Sequence, residues 1–434
     1  MADLDAPPTG LASRRAALQA IAAVDERDAY STLAVPAAID DLDGARDRAF
    51  ASYLAYDTLR WQGTLDWALQ HVLDRDLSDV EPNLRRILRL GALQILRSGV
   101  PTRAAVDTAV RLARAAVPRR RATAAGGFVN GVLRALARRR DELPWPDPDD
   151  DAVGWLVLHT AHPRWIVEDV HRRLGDRAQA ALEADNAPPG LTLRATGDRD
   201  ALVQELRDAG IEAVADEHAP EAVRAPGGDP RRLVAVAEGR AVPQDAASMR
   251  VAHATRAVPG ARVLDLCAGP GGKATHLASL VAPDGSVVAV ELYPHRAALI
   301  REAAARVGVD IDVRVGDATD PPVDGGFDVV LVDAPCTGLG TGRRRPEVRW
   351  RRGPHELGDL ADLQSRLLQA AVAHVAPAGS LTYAACTWTV VETEEVTAGF
   401  LARHGSRFEL VEQTQLWPHH GTDGMYYATF VRRG

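Results

Sequence analysis

Apolar residues recur at three- and four-residue spacing through "SRRAALQAIAAV" (13–24), "ARDRAFASYLAYDTLRWQGTLDWALQHVL" (45–73), "EPNLRRILRLGALQILRSG" (81–99), "TRAAVDTAVRLARAA" (102–116) and "GGFVNGVLRALARRR" (126–140). That period draws one apolar stripe along each of several helices, so residues 11–140 are expected to form an all-α domain. "DELPWPDPDDD" (141–151) then sets prolines among acids, which suits neither helix nor strand and marks a linker.

Beyond the linker the period mixes. Residues 152–240 hold helical stretches, "WIVEDVHRRLG" and "ALVQELRDAG", and short β stretches, "LTLRAT" and "EAVRAP", which predict a small α+β segment. The last domain is expected over 241–434. From residue 260 strand and helix patterns alternate: "ARVLDLC", "KATHLASLV", "SVVAVEL", "RAALIREAAARVG", "IDVRVGD", "FDVVLVDAP", "ELGDLADLQSRLLQAAVAHV" and "GSLTYAAC", then a helix from about Val390. This order predicts a doubly wound, Rossmann-like parallel sheet, and "DGMYYATFVRR" adds a final strand.

Composition changes this picture little. The 434 residues, 46% hydrophobic and 25% charged, have the balance of a soluble chain of several domains. No run of about 18 apolar residues occurs, and "MADLDAPPTG" (1–10) lacks a basic start and a long apolar core. Neither a membrane span nor secretion is expected, and a cytoplasmic location is. The three cysteines stand far apart without a CxxC pair, so neither a disulfide framework nor a metal site is expected.

Charge changes it more. A formal net charge of -8 argues against a nucleic-acid partner, since phosphate contacts reward concentrated positive charge. Arginines nevertheless cluster at 119–121, at 138–140, and at 343–345, 349, 351 and 352. The single lysine, Lys273, sits in a glycine-rich loop.

Candidate chemistry gathers at the carboxyl ends of the predicted strands, where such sheets bind ligands. "CAGPGGK" (267–273) permits a tight turn and offers helix N–H groups to a phosphate or carboxylate. Glu291 and Asp317 end the next two strands, where acids accept ribose hydroxyls. No GxxxxGK[ST] spacing is present, and hydride chemistry would leave the cysteines unused. A methyltransferase using S-adenosylmethionine accounts for the set. Its two remaining thiols, Cys336 after Asp333 and Cys386 after the fifth strand, suit covalent catalysis on a pyrimidine. A thiolate adding to carbon 6 makes carbon 5 nucleophilic. Helix N-termini favour thiolates, and Thr389 with Glu392 is expected to form a capping box beside Cys386.

Together "LDLCAGPGGK", "GDA", "DAPCTGLG", "RRRPEVRW" and "YAACT" resemble the RNA cytosine-5 methyltransferases. The helical region, with "AYDTLRWQGTLDWAL" and "FVNGVLR", resembles the RNA-binding factor NusB. Their pairing resembles the RsmB family, which methylates cytosine in small-subunit ribosomal RNA, over nearly the whole chain from residue 11. The resemblance implies Cys386 as nucleophile, Cys336 as the thiol that assists product release, and Asp333 as an acid near N3 of the base. It implies S-adenosyl-L-methionine contacts from Cys267, Ala268, Gly269, Pro270, Gly271, Gly272, Lys273, Glu291, Asp317 and Asp333, with Cys267 itself structural. Residues 152–240 take the place of the family's RNA-recognition-like subdomain, and Gln244 and Asp245 are expected near the active site. Arg343, Arg344 and Arg345 read as RNA phosphate contacts, and the protein is expected to be a monomer. Departures are Glu291 for aspartate, Ala385 for threonine, Thr387 for serine, and "VVET" (390–393) for a proline-glutamate-glutamate-asparagine run. Transfer RNA as substrate, a noncatalytic assembly factor, and a DNA-type mechanism with Cys336 attacking stay open.

Overall fold

The computed structural model describes residues 10–434, which pack as two compact units. One runs to Asn186 and also takes in Arg344–Arg351; the other comprises Ala187–Arg343 and Arg352–Gly434.

The first unit is helical because its apolar stripes meet. Helix Thr102–Ala115 buries Ala105, Val106, Ala109, Leu112 and Ala113, one face at helical spacing. Helix Pro82–Leu96 starts where the Glu81 carboxylate accepts the Leu84 N–H at 3.0 Å, with proline in the first turn where its missing N–H is harmless. The core joins Leu54, Leu65, Ile87, Leu93, Val129 and Leu133. Helices Ala152–Thr160, Arg164–Leu174 and Ala178–Asn186 complete it.

Segment Arg344–Arg351 is held in this unit by its side chains. Trp350 donates its indole N–H to the Leu59 carbonyl at 2.7 Å, and Glu347 accepts the Ser31 N–H at 3.0 Å. Arg351 donates to the carbonyls of Val24 and Ala29 at 2.6 and 2.9 Å. Arg349 is buried, with Nη2 2.5 Å from Asp185 Oδ2, and the same oxygen lies 3.1 Å from His162 Nε2.

The second unit opens with a small antiparallel sheet. Strands β1 (Leu191–Ala195), β2 (Val214–Ala215), β3 (Ala222–Ala225) and β4 (Ala241–Pro243) run in the order β2-β3-β1-β4. Helix Arg199–Asp208, capped by Asp198, covers it with Leu202, Val203 and Leu206.

The larger sheet contains β5 (Arg262–Asp265), β6 (Ser286–Glu291), β7 (Asp312–Val315), β8 (Phe327–Asp333), β9 (Val375–Ala385), β10 (Phe408–Leu416) and β11 (Met425–Arg432). Its order is β10-β11-β9-β8-β5-β6-β7; β9 through β7 are mutually parallel, and β11 and β10 antiparallel. The expected final strand is β11, and β10 is an addition to the expected pattern. "FELVEQTQL" hides its strand character because this edge strand leaves most side chains in water. One face of the sheet buries Val330, Leu381 and Phe430 against Leu367, Leu368 and Phe400; the other buries Val263, Val329 and Leu331 against Val251 and Leu277. Emptying one such leucine position costs ~2–5 kcal/mol, which is how firmly the strand ends are fixed. Among the described residues no helix is long and apolar enough to cross a membrane.

Candidate active site

Strand β5 ends at Asp265, and the chain turns through 266–271 into helix Gly272–Val281. Gly271 sits at φ +108°, and any Cβ there would approach Ile300 Cα to 3.1 Å, so only glycine closes this turn without strain. At Gly269 a Cβ would displace the Glu291 carboxylate, a lesser constraint than at Gly271. The Gly269 N–H donates to Glu291 Oε2 at 3.1 Å, and its carbonyl accepts from Arg296 Nη2 at 2.8 Å. Glu291 Oε1 accepts the Tyr293 N–H at 3.0 Å. The buried acid that ends β6 therefore shapes the glycine loop. Asp317, past the end of β7, is exposed; its Oδ1 accepts the Thr319 N–H and hydroxyl, both at 2.8 Å, which keep its carboxyl below the usual range.

A carboxylate excess surrounds the loop. Lys273 donates to Asp333 Oδ2 at 2.7 Å. Burial works against the lysine's charge, but Asp333 outweighs it and lifts the amine above its ordinary range. Asp265 is completely buried, and its oxygens form no well-aligned hydrogen bond, only a loose approach from the Cys267 N–H. Burial first, then the Asp333 charge, pushes its carboxyl up to about 7. Sequence reasoning missed Asp265; the signal was an acid closing an apolar strand just before the glycine loop, in "VLDLCAG". Cys267 packs partly into the sheet core, and burial followed by Asp265 pushes its thiol well up.

Strands β8 and β9 are parallel neighbours, with Asp333 paired to Ala384, so their following loops start side by side. This brings Cys336 Sγ within 3.3 Å of Cys386 Sγ. The Cys386 contact first, then burial, holds the Cys336 thiol protonated far above its ordinary range. Beneath the pair lies Glu392, fully buried. Its carboxylate accepts the Thr337 N–H at 2.7 Å, the Thr337 hydroxyl at 2.6 Å, the Thr389 hydroxyl at 2.8 Å and the Gln364 amide at 3.2 Å. The expected capping box does not form. Thr389 spends its hydroxyl on the Glu392 side chain, leaving no side-chain cap on Val390–Glu392. Glu392 instead ties the two cysteine loops together.

Gln244 lies beside the glycine loop, 4.0 Å from where a Gly272 Cβ would be, and accepts from buried Arg194 at 2.8 Å. Asp245 caps helix Ala246–Ala254 and accepts the Asp423 N–H at 3.0 Å. The three consecutive arginines are not brought together as one surface. Arg343 is buried and donates to the Thr422 carbonyl at 2.9 Å, whereas Arg344 and Arg345 are half-buried and Arg345 lies over the Tyr30 ring.

The donor set fits an adenosyl ligand: a glycine loop, strand-end acids and a buried carboxyl just before the loop. Residues 252–431 match the model described as 16S rRNA methyltransferase RsmB/F, 11–138 that of the NusB family, and 162–227 that of the ferredoxin-like domain of RsmF/B-like methyltransferases. The chain is 41% identical to Rv1407 of Mycobacterium tuberculosis over 97% of this chain and 96% of that one, a protein whose name says methyltransferase and gives no substrate. It is 33% identical to ribosomal RNA small subunit methyltransferase B of Pseudomonas putida, over 96% of this chain and 98% of that one. The crystal structure of PH0851 matches with a TM-score of 0.85 at 27% identity, covering 98% of this chain and 99% of that one.

Fold, loop and relatives define an S-adenosylmethionine-dependent RNA methyltransferase, with a helical NusB domain, a ferredoxin-like small domain and a mostly parallel α/β catalytic domain. Within that class the chain belongs to the RsmB/F family.

Proposed function

We propose that the protein methylates carbon 5 of a cytosine in small-subunit (16S) ribosomal RNA through a covalent cysteine–cytosine adduct. One observation carries this reading: the two thiols 3.3 Å apart at the ends of adjacent strands, beside Asp333. Domain assignments that go with it are 11–140 for RNA binding, 152–240 for the small subdomain and 241–434 for catalysis, in a cytoplasmic protein.

Residues 267–273, Glu291, Asp317 and Asp333 hold S-adenosyl-L-methionine, which supplies an electrophilic methyl group. Asp265 joins them as the buried carboxyl just before the glycine loop. The Cys386 thiolate adds to carbon 6; the S–C6 bond forms and the electrons of the 5,6 double bond shift toward carbon 5. Asp333 acts on the N3 side of the ring, with Lys273 2.7 Å away as the stored proton. After methyl transfer the carbon 5 proton passes to solvent, the 5,6 double bond re-forms as Cys386 departs as thiolate with Cys336 assisting release, and the N3 proton returns to the Asp333–Lys273 pair. The target cytosine must be unpaired or flipped out for attack on its face. Arg344, Arg345 and the helical arginine clusters suit phosphate contacts, while Arg343 holds its own loop.

The test is adduct trapping on 16S rRNA containing 5-fluorocytosine, which blocks release. A covalent band lost in Cys386→Ala and kept in Cys336→Ala is the expected result. Loss only in Cys336→Ala exchanges the two roles, as in DNA-type enzymes. No band on 16S rRNA but one on transfer RNA moves the substrate, and no band on either leaves a noncatalytic factor.

A further inference from the structure

Away from the thiols, three ligand-type side chains converge where the ferredoxin-like sheet meets the catalytic domain. Glu221 stands at the start of β3, His253 on helix Ala246–Ala254 and His276 on helix Gly272–Val281. Glu221 Oε1 lies 3.1 Å from His253 Nε2 and 2.7 Å from His276 Nε2, and one ligand atom from each of the three residues falls within 4.8 Å of the others. The imidazole rings meet edge to face at 5.2 Å.

We propose that Glu221, His253 and His276 form a site for a borderline divalent cation of the zinc type. Two imidazole nitrogens and one carboxylate oxygen are the donors such ions take, at about 2.0–2.2 Å from the metal. Tetrahedral ligands at that radius stand about 3.3 Å apart, so the carboxylate contacts open by a few tenths of an ångström and the two imidazole nitrogens close by up to about 1.5 Å, within reach of side-chain rotation at partly exposed His253. His276 is buried, so its Nε2, 2.7 Å from Glu221 Oε1, is held in place to meet the metal once the proton it shares with the carboxylate is displaced. His253 is 36% exposed, which gives an entry path and room for a water as fourth ligand. Two features temper the affinity: His276 Nδ1 is buried without a partner, and the Arg194 cation acts on the same pair. The ion would clamp β3 onto the helix that opens at the glycine loop, since His276 follows Thr275, to which Arg194 already donates from β1 at 3.0 Å. Metal occupancy would thus hold the small domain against the cofactor loop.

The experiment is calorimetric titration of chelator-stripped full-length protein with Zn²⁺ alone, repeated with Co²⁺ to read the visible ligand-field band. Because Cys336 and Cys386 are a competing donor pair, Cys336→Ala/Cys386→Ala is titrated alongside His253→Ala. The expected result is one saturable Zn²⁺ per chain that survives loss of the thiols, weakens at least about tenfold in His253→Ala, and raises the melting temperature. His253 is partly exposed, so its alanine variant tests the site without emptying the core; His276→Gln, checked for folding by circular dichroism, is the second variant. No saturable binding by the thiol-free variant, or unchanged binding by His253→Ala, overturns the proposal.

Discussion

Two buried charge clusters, one in each unit, use the same chemistry to different ends. In the helical unit Asp185 faces Arg349 at 2.5 Å and His162 at 3.1 Å. Burial, then Arg349, drives the His162 ring down to about 4, so it is neutral and one acid balances one guanidinium. In the catalytic unit Lys273 answers Asp333 and Arg296 lies 3.6 Å from Glu291, while Asp265 adds a buried carboxyl that only the Cys267 N–H approaches. The first cluster balances its acid against a guanidinium, though Asp185 Oδ1 and Arg349 Nε stay unpartnered, and it belongs to stability. The second carries one buried carboxyl, Asp265, beyond its two acid–base pairs, and this is the group the proposed cationic ligand would face.

That contrast can be broken by substitution. Asp333→Asn is expected to lower methyl transfer by roughly a hundred- to ten-thousandfold, the usual worth of a positioned acid or base, with the melting temperature nearly unchanged; single-turnover assays read it. Arg349→Met is expected to do the reverse, costing about 3–5 kcal/mol of stability by stranding a buried carboxylate. Because Arg349 is what depresses His162 after burial, that loss should be smaller at pH 5 than at pH 8, where His162 cannot replace the missing charge. Urea unfolding at both pH values decides this.

The pH slopes should oppose each other. Asp265 is raised in the fold, so it favours the native state below an unfolded value near 3.8 and stability falls as pH climbs toward 7, by roughly 4 kcal/mol at about 1.4 kcal/mol per unit. Asp265→Asn should therefore stabilise the apo protein at pH 8 while weakening cofactor binding, a pairing no purely structural residue gives. His162 is depressed, so its contribution is present above an unfolded value near 6.5 and is lost as pH falls toward 4, by roughly 3 kcal/mol. His162→Gln should flatten that acid arm, the smallest of these effects.

What the sequence disclosed follows the same division. Strand alternation, the glycine loop and the strand-end acids were legible because local period and turn chemistry dictate them, as "LDLCAGPGGK" does for the turn at Gly271. The adjacency of Cys336 and Cys386 needed the parallel pairing of β8 with β9, and their separate roles came from family resemblance. The arginines of "RRRPEVRWRR" were legible as charge and not as partners. Arg349 finds Asp185 and Arg351 finds the carbonyls of Val24 and Ala29, positions far along the chain that no local pattern encodes. Asp265 was hidden for a related reason, since an acid at a strand end looks the same whether bonded or bare.

The excursion of Arg344–Arg351 into the helical unit has a practical meaning for anyone who cuts this chain. A fragment ending at Asn186 would keep Asp185 and lose its guanidinium, would uncover the Leu59 carbonyl that Trp350 caps, and would free the Ser31 amide. Weak RNA binding by such a fragment would report the injury of excision. Supplying 344–351 as a tethered peptide is the fair control.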